Sequence, residues 1–437
     1  MKCLIIASGR GARLASKSRS KPLTSLMGMP LIARVILRAR KVGLKEFYVV
    51  TGYRGQILRD YLETFSKKRN IKITCLHNDE WRKENGISVL KAKDIINGNF
   101  ILLMSDHIFD EKIIAKLKNK RINNNEVILA IDSNIKVNYF VDEEDVTKVF
   151  IKNKRILHIG KNLKEYDAYD TGIFLCTPAI FNAIEQSSKR GDTSLSGGIE
   201  ILAKKGKVRV CDVSGNYWID VDNEVKLKQA KRHLVNVFVN KKSDGFVSRY
   251  INRPISGQIT KILLKTKIQP NTITLTCFFL SIIGAFFFFH KGYLNLLIGA
   301  ILAQVASIID GCDGEVARLK FLETEFGGWF DAVLDRYADA FLLFSLTYHT
   351  YQVISNPVIM IIGFMAVIGS LINSYTADKY DSLMRSEGNR HFRIGRDLRI
   401  FIIFLGGVLN QPALALIAIA ALMNIENARR VVVLARA

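Results

Sequence analysis

The residues best placed to do chemistry lie between Asp310 and Asp335, inside the most apolar third of the chain. They fit the spacing D-x2-D-G-x2-A-R-x8-G-x3-D-x3-D at Asp310, Asp313, Gly314, Ala317, Arg318, Gly327, Asp331 and Asp335. On a helix, steps of three and four share a face, so Asp310, Asp313 and Ala317 align, as do Asp331 and Asp335 one turn apart. Four carboxylates can therefore converge. In apolar surroundings such a cluster repels itself unless a cation neutralises it, and an oxygen-rich site suits Mg2+ or Mn2+. Loop carboxylates facing water are the plainer account of one or two acidic residues. A full pattern inside an apolar region, where ionisable groups are costly, favours a metal site.

The elements that must carry these residues follow from composition. The 437 residues are 49% hydrophobic, but the average conceals a divided chain. Residues 1 to about 240 alternate charged and apolar stretches, whereas 272–434 are dominated by apolar runs. A helix needs about 20 apolar residues to cross a bilayer. Stretches near 272–289, 293–312, 328–350, 354–376, 396–409 and 411–432 supply about six such candidates. Basic residues collect on one set of connections, among them Arg318, Lys320, Lys379, Arg385, Arg390, Arg393, Arg396 and Arg399, and near the end at Arg429, Arg430 and Arg436. By the positive-inside rule this predicts that both termini and the carboxylate cluster face the cytoplasm of a multi-pass cell-membrane protein. The expected organisation is a cytoplasmic α/β domain over 1–240, a linker and amphipathic surface helix over 241–270, and an all-α membrane domain over 271–437.

A net charge of +23, from 63 Lys and Arg against 40 Asp and Glu, is compatible with nucleic acid, anionic lipid or phosphorylated substrates. No basic stretch is interleaved with stacking aromatics, so no nucleic-acid partner is expected, and lipid headgroups with phosphate substrates are the better account. The six cysteines lack C-x-x-C spacing and read as inert thiols in a reducing compartment. The apolar run Cys3–Ala7 leads straight into glycine and basic residues, unlike a secretory signal.

That first run carries its own chemistry. A buried strand entering a glycine-rich turn presents backbone N–H groups to phosphate, here at Gly9 and Gly11, with Arg13 and then Lys21-Pro22-Leu23 downstream. Strand-like runs recur at 47–50, 71–76, 100–104 and 127–131, separated by amphipathic stretches at 30–40 and 56–65. This alternation predicts a Rossmann-like, mostly parallel sheet. Asp106 follows a central strand, at the end where doubly wound sheets bind ligands, and Asp220 and Asp222 form a second acidic pair after Trp218.

The Asp310–Asp335 pattern resembles the signature of the CDP-alcohol phosphotransferases, membrane enzymes that pass a substituted phosphate from a CDP-alcohol to an acceptor hydroxyl and release CMP. The resemblance implies that Asp310, Asp313 and Asp331 bind two metal ions, that Asp335 is both a metal neighbour and the base, and that Gly314, Ala317 and Arg318 border the nucleotide. The G-x-G-x-R and K-P-L combination resembles the sugar-nucleotide type of nucleotidyltransferase. That resemblance implies catalytic roles for Arg13 and Lys21 and a triphosphate cradle at Gly9, Gly11 and Arg13. It further implies base contacts from Asn85 and Ser88, second-substrate contacts from Lys161, Thr171 and Gly172, and Mg2+ on Asp106 with Asp220 or Asp222. Arg393, Arg396 and Arg399, at steps of three, are candidates for an anionic acceptor; topology-setting charge is the competing account.

The two domains in this order resemble the archaeal bifunctional family of inositol-1-phosphate cytidylyltransferase and di-myo-inositol-phosphate phosphate synthase. The resemblance implies CTP and inositol 1-phosphate as substrates, CDP-inositol as intermediate, membrane lipid as surroundings and a homodimer through the membrane domain. Two other readings are a phospholipid synthase with a lipid acceptor, and a phosphotransferase whose front domain is a catalytically silent binding module.

Overall fold

The computed structural model describes residues 1–11, 13–14, 20–135, 142–238, 245–386 and 395–436. Arg390, Arg393 and the linker residues 241–244 lie outside the described residues. The chain divides into two compact units, Met1–Arg232 and His233–Ala437.

Among the described residues, the first unit is built on a nine-stranded sheet: β1 Lys2–Ala7, β2 Glu46–Thr51, β3 Lys72–His77, β4 Phe100–Met104, β5 Val127–Asp132, β6 Lys148–Lys152, β7 Arg155–Gly160, β8 Ala168–Cys176 and β9 Val208–Asp212. Their spatial order is β3-β2-β1-β4-β8-β5-β9-β7-β6. β1, β4 and β5 are buried along almost their whole length, which is why they read as continuous apolar runs rather than as alternating ones. The expected mostly parallel sheet is in fact mixed. β1 lies parallel to β2 and β4, and β5 parallel to β9, but β8 runs antiparallel to both β4 and β5. The reversal has a local cause. Asn153 and Lys154 both take positive φ, the backbone a tight two-residue turn requires, so β6 and β7 fold as a hairpin and the chain returns in the opposite sense.

The second unit is helical: α1 Arg253–Leu263, α2 Pro270–Phe288, α3 Tyr293–Lys320, α4 Glu325–Ile354, α5 Val358–Ser386, α6 Arg396–Val408 and α7 Pro412–Arg436. α2 to α7 occupy the six apolar stretches read from sequence. Among the described residues, three segments are long and apolar enough to cross a membrane: Pro270–Phe288, Tyr293–Lys320 and Val358–Ala377. Of the others, α6 has only 13 residues, and α4 carries Asp331, Asp335, Arg336 and Asp339 in its first half.

α1, expected to lie on the membrane surface, also packs on protein, and it does so through polar groups. Ser256 and Thr260 are fully buried and donate to Glu315 of α3 at 2.7 and 2.6 Å, and Arg253 pairs with the same carboxylate at 2.8 Å. Ile255 and Ile262 remain exposed.

Candidate active sites

The front cleft lies where β1 and β4 end. Their register pairs Ile6 with Met104, so Ser8 and Asp106, each two residues further, emerge at one edge. The cleft encloses about 390 Å³, and Gly9, Gly11, Arg13, Lys21, Asn85, Ser88, Asp106, Lys161, Gly172, Asp220 and Asp222 all border it. Gly11 sits at φ +57°, and a Cβ there would meet Lys21 Cβ at 2.5 Å, so glycine is required for the lysine to fold across the loop.

Lys21 Nζ lies 2.5 Å from Asp106 Oδ2 and 3.8 Å from Asp220 Oδ1. His107–Phe109 pairs antiparallel with Trp218–Asp220, with His107 opposite Asp220. That short ribbon brings two distant acidic residues together. One ligand atom each from Asp106, His107 and Asp220 lie within 4.8 Å of one another. Asp222 stands differently, paired with Lys226 and Arg13, each at 3.1 Å.

Charge follows this geometry. Burial opposes ionisation of Asp106, but Lys21 and the His107 hydrogen bond outweigh it and hold the carboxyl well below the usual carboxylate range. Burial also opposes the charge on Lys21, and Asp106 and Asp220 overcome it, raising its pKa. Unlike Asp106, Asp220 is pushed up, by burial and then by the charge of Asp106. A shared cation would relieve that repulsion.

The remaining front residues separate into open and committed groups. Arg13 and Lys161 both reach Asp145, at 2.7 and 2.6 Å. Ser88 is buried against Ser8 Oγ at 2.5 Å and accepts from Asn78 at 3.1 Å, while Asn85 Oδ1 accepts from the Leu195 amide at 2.9 Å. Thr171 is fully buried and donates to the Ala130 carbonyl at 2.8 Å, inside the sheet. Its neighbour Gly172 is the residue that faces the cleft. At φ +72° a Cβ on Gly172 would meet His107 Nε2 at 2.6 Å.

In the helical unit, one carboxylate oxygen each of Asp310 and Asp313 on α3 and Asp331 on α4 lie within 4.8 Å of one another. Thr324 caps α4, accepting from the Gly327 amide at 2.9 Å, and this sets the turn from which Asp331 and Asp335 project. Thr274 of α2 donates to Asp313 at 2.6 Å. Asp335 turns instead to Arg396, whose Nη1 lies 2.7 Å from Asp335 and 3.1 Å from Asp310. Arg399 is buried, 2.6 Å from Asp339 and 2.9 Å from Ser374, which places it inside the helix packing. Arg318 donates to the Phe238 carbonyl at 3.1 and 2.9 Å and lies across Gly314.

The sequence pattern described as CDP-alcohol phosphatidyltransferase matches residues 267–429, and that described as MobA-like NTP transferase domain matches residues 3–163. The bifunctional IPC transferase and DIPP synthase of Aquifex aeolicus is 32% identical over 433 residues, covering 97% of this chain and 95% of its own. That of Thermococcus kodakarensis is 34% identical over 412 residues, covering 92% of this chain and 89% of its own. The chain belongs to the bifunctional IPC transferase and DIPP synthase family. The structure of the inositol-1-phosphate CTP transferase from T. maritima is 22% identical, covers 53% of this chain and 96% of its own, and superposes with a TM-score of 0.46.

As a member of this family the chain is an enzyme with a nucleotidyltransferase domain and a CDP-alcohol phosphotransferase domain, and it is membrane-associated. Both of its carboxylate groups fit a divalent metal on their own evidence. Asp331 Oδ1 and Asp220 Oδ1 are buried without a hydrogen-bond partner, in donor sets made of oxygen or of oxygen with one imidazole. Two residues escaped the reading from sequence alone. His107 directly follows Asp106 and carried no spacing of its own. Asp339 continues the step from Asp331 and Asp335 by one further turn, a signal that was present in D-x3-D-x3-D.

Proposed function

We propose that this chain performs two successive reactions. In the first, CTP and inositol 1-phosphate give CDP-inositol and diphosphate. In the second, the hydroxyl of another inositol 1-phosphate attacks CDP-inositol, giving di-myo-inositol phosphate phosphate and CMP. The observation that carries this reading is that a nucleotidyltransferase cleft and a carboxylate triplet in a helical unit occur together in one chain, aligned almost end to end with relatives named for both activities.

Asp106 and Asp220, with Asp222 beside them, would hold a divalent ion in the front domain, and Asp310, Asp313 and Asp331, with Asp335 adjacent, would hold ions in the back. Mg2+ is the reading that carboxylate oxygens favour, and such an ion supplies charge neutralisation to phosphate oxygens. The chain's own groups do the rest. Gly9 and Gly11 amides and Arg13 cradle the triphosphate, and Lys21 stabilises the reacting phosphates, since this displacement depends on positioning and charge more than on a base. Asn85 and Ser88 border the base, and Lys161 and Gly172 the inositol phosphate. In the back domain Asp335 takes the proton of the acceptor hydroxyl, Gly314, Ala317 and Arg318 border the cytidine nucleotide, and Arg396 offers the acceptor phosphate a cation.

We read α2 to α7 as six crossings, with both termini cytoplasmic and residues 1–240, 241–270 and 271–437 as domain, connection and membrane domain. Lipid surrounds the back domain, and a second copy pairs with it there. Phosphorus NMR of the purified protein with CTP, Mg2+ and inositol 1-phosphate tests the chemistry. Diphosphate, CMP and a new phosphodiester are expected in equal amounts. Diphosphate without CMP, with CMP appearing only when phospholipid is added, would replace the soluble acceptor by a lipid one.

A further inference from the structure

Asp339 lies one helical turn beyond Asp335 on α4, is 4% exposed, and belongs to none of the positions of the carboxylate pattern. Its two oxygens are divided between two arginines. Oδ1 accepts from Arg396 Nε at 2.9 Å and Oδ2 accepts from Arg399 Nη2 at 2.6 Å. Arg399 is itself fixed, donating to the Ser370 carbonyl at 3.3 Å and Ser374 Oγ at 2.9 Å. The guanidinium of Arg396 is planar, so a carboxylate that holds its Nε edge also sets where its Nη1 points. That nitrogen lies between Asp310 at 3.1 Å and Asp335 at 2.7 Å. A chain of contacts therefore runs from the buried Arg399, through Asp339 and Arg396, to the carboxylate of Asp335.

We propose that Asp339 is a positioning residue for the transfer step: it orients Arg396, and through it the carboxylate of Asp335. The proposal rests on the reading that Asp335 is the base. A plain tie between α4 and α6 would need Asp339 and Arg399 alone. The orientation of Arg396, with its other edge on the pattern carboxylates, is what couples Asp339 to chemistry.

The test measures CMP release from supplied CDP-inositol and inositol 1-phosphate by full-length Asp339→Asn and Asp339→Glu. Loss of a buried carboxylate that orients a site residue commonly costs about 10- to 100-fold in activity. A fall of that size in kcat is expected for Asp339→Asn, with KM for CDP-inositol within about twofold, because the nucleotide contacts are untouched. The solvent deuterium isotope effect on kcat should rise, since a misaligned base makes proton transfer more rate-limiting. Asp339→Glu keeps the charge and should recover part of the rate. A smaller folded fraction lowers kcat but leaves the isotope effect where it was. An unchanged isotope effect in both variants, or a wild-type kcat in Asp339→Asn, would overturn the proposal. Asp335→Asn keeps the two readings apart: if it retained CMP release, the base assignment would fall, whatever Asp339 does.

Discussion

Lys21 is a cation held between two carboxylates in the front cleft, and its charge survives burial because Asp106 and Asp220 outweigh desolvation. Lys21→Ala should lower diphosphate release from CTP by about 100-fold or more, the scale on which one electrostatic contact to a transition state counts. In Asp170 burial prevails. Burial raises its carboxyl to about 6, against the hydrogen bond from the Gly172 amide. The folded domain therefore keeps a proton that the unfolded chain releases near pH 4, so Asp170 lowers stability as pH rises from about 4 to about 6, with no further change above. Asp170→Asn keeps the acceptor, should flatten that slope and should gain up to about 3 kcal/mol at neutral pH. Urea unfolding at about pH 4 and about pH 7, followed by tryptophan fluorescence, measures both. At this scale the motif residues Gly9, Gly11, Lys21 and Asp106 were legible because their chemistry is local. Whether Asp220 or Asp222 shares the cluster was not, since a two-residue step along the chain decides which side chain meets His107.

At the scale of elements, one buried carboxylate fastens α1 to α3. Glu315 is fully buried and takes Arg253, Ser256 and Thr260 from three positions along α1. Breaking a buried ion pair costs about 3–5 kcal/mol because the partner charge stays behind. Glu315→Gln should therefore cost about 3 kcal/mol, read as a lower melting temperature of the back unit in detergent, whereas a change at exposed Ile262 should leave that melting unaltered. Sequence periodicity showed α1 to be amphipathic; that its polar face is the one turned to protein could not be read without Glu315 in place across from it. The sheet teaches the same lesson. Its apolar runs announced strands, but direction was set by the Asn153-Lys154 turn, which reversed the chain and made the sheet mixed.

At the scale of the whole molecule, two sites on one chain predict separable losses. Asp335→Asn should reduce CMP release by about 100-fold or more while diphosphate release from CTP stays intact. Lys21→Ala should lose diphosphate release and, for want of donor, CMP release from CTP, while CMP release from added CDP-inositol stays intact. A chelator should stop both reactions, and restored divalent metal should recover both. Loss of diphosphate release from CTP in Asp335→Asn, or of CMP release from added CDP-inositol in Lys21→Ala, would contradict two independent centres.

Spacing along the chain was enough to mark a carboxylate cluster suited to a metal, a glycine turn suited to phosphate, a sheet and a helical apolar half, because strand ends, glycine turns and same-face helical steps are local geometry; the phosphoryl chemistry was implied by the resemblance those motifs carry. Partnership across the fold was decided only in three dimensions. Asp220 joins Asp106 through a ribbon of two distant segments, Asp335 faces Arg396, and Asp339 lies between Arg396 and Arg399. Each of these depends on which helix or strand lies next to which, and residue spacing within one segment carries no record of that neighbour.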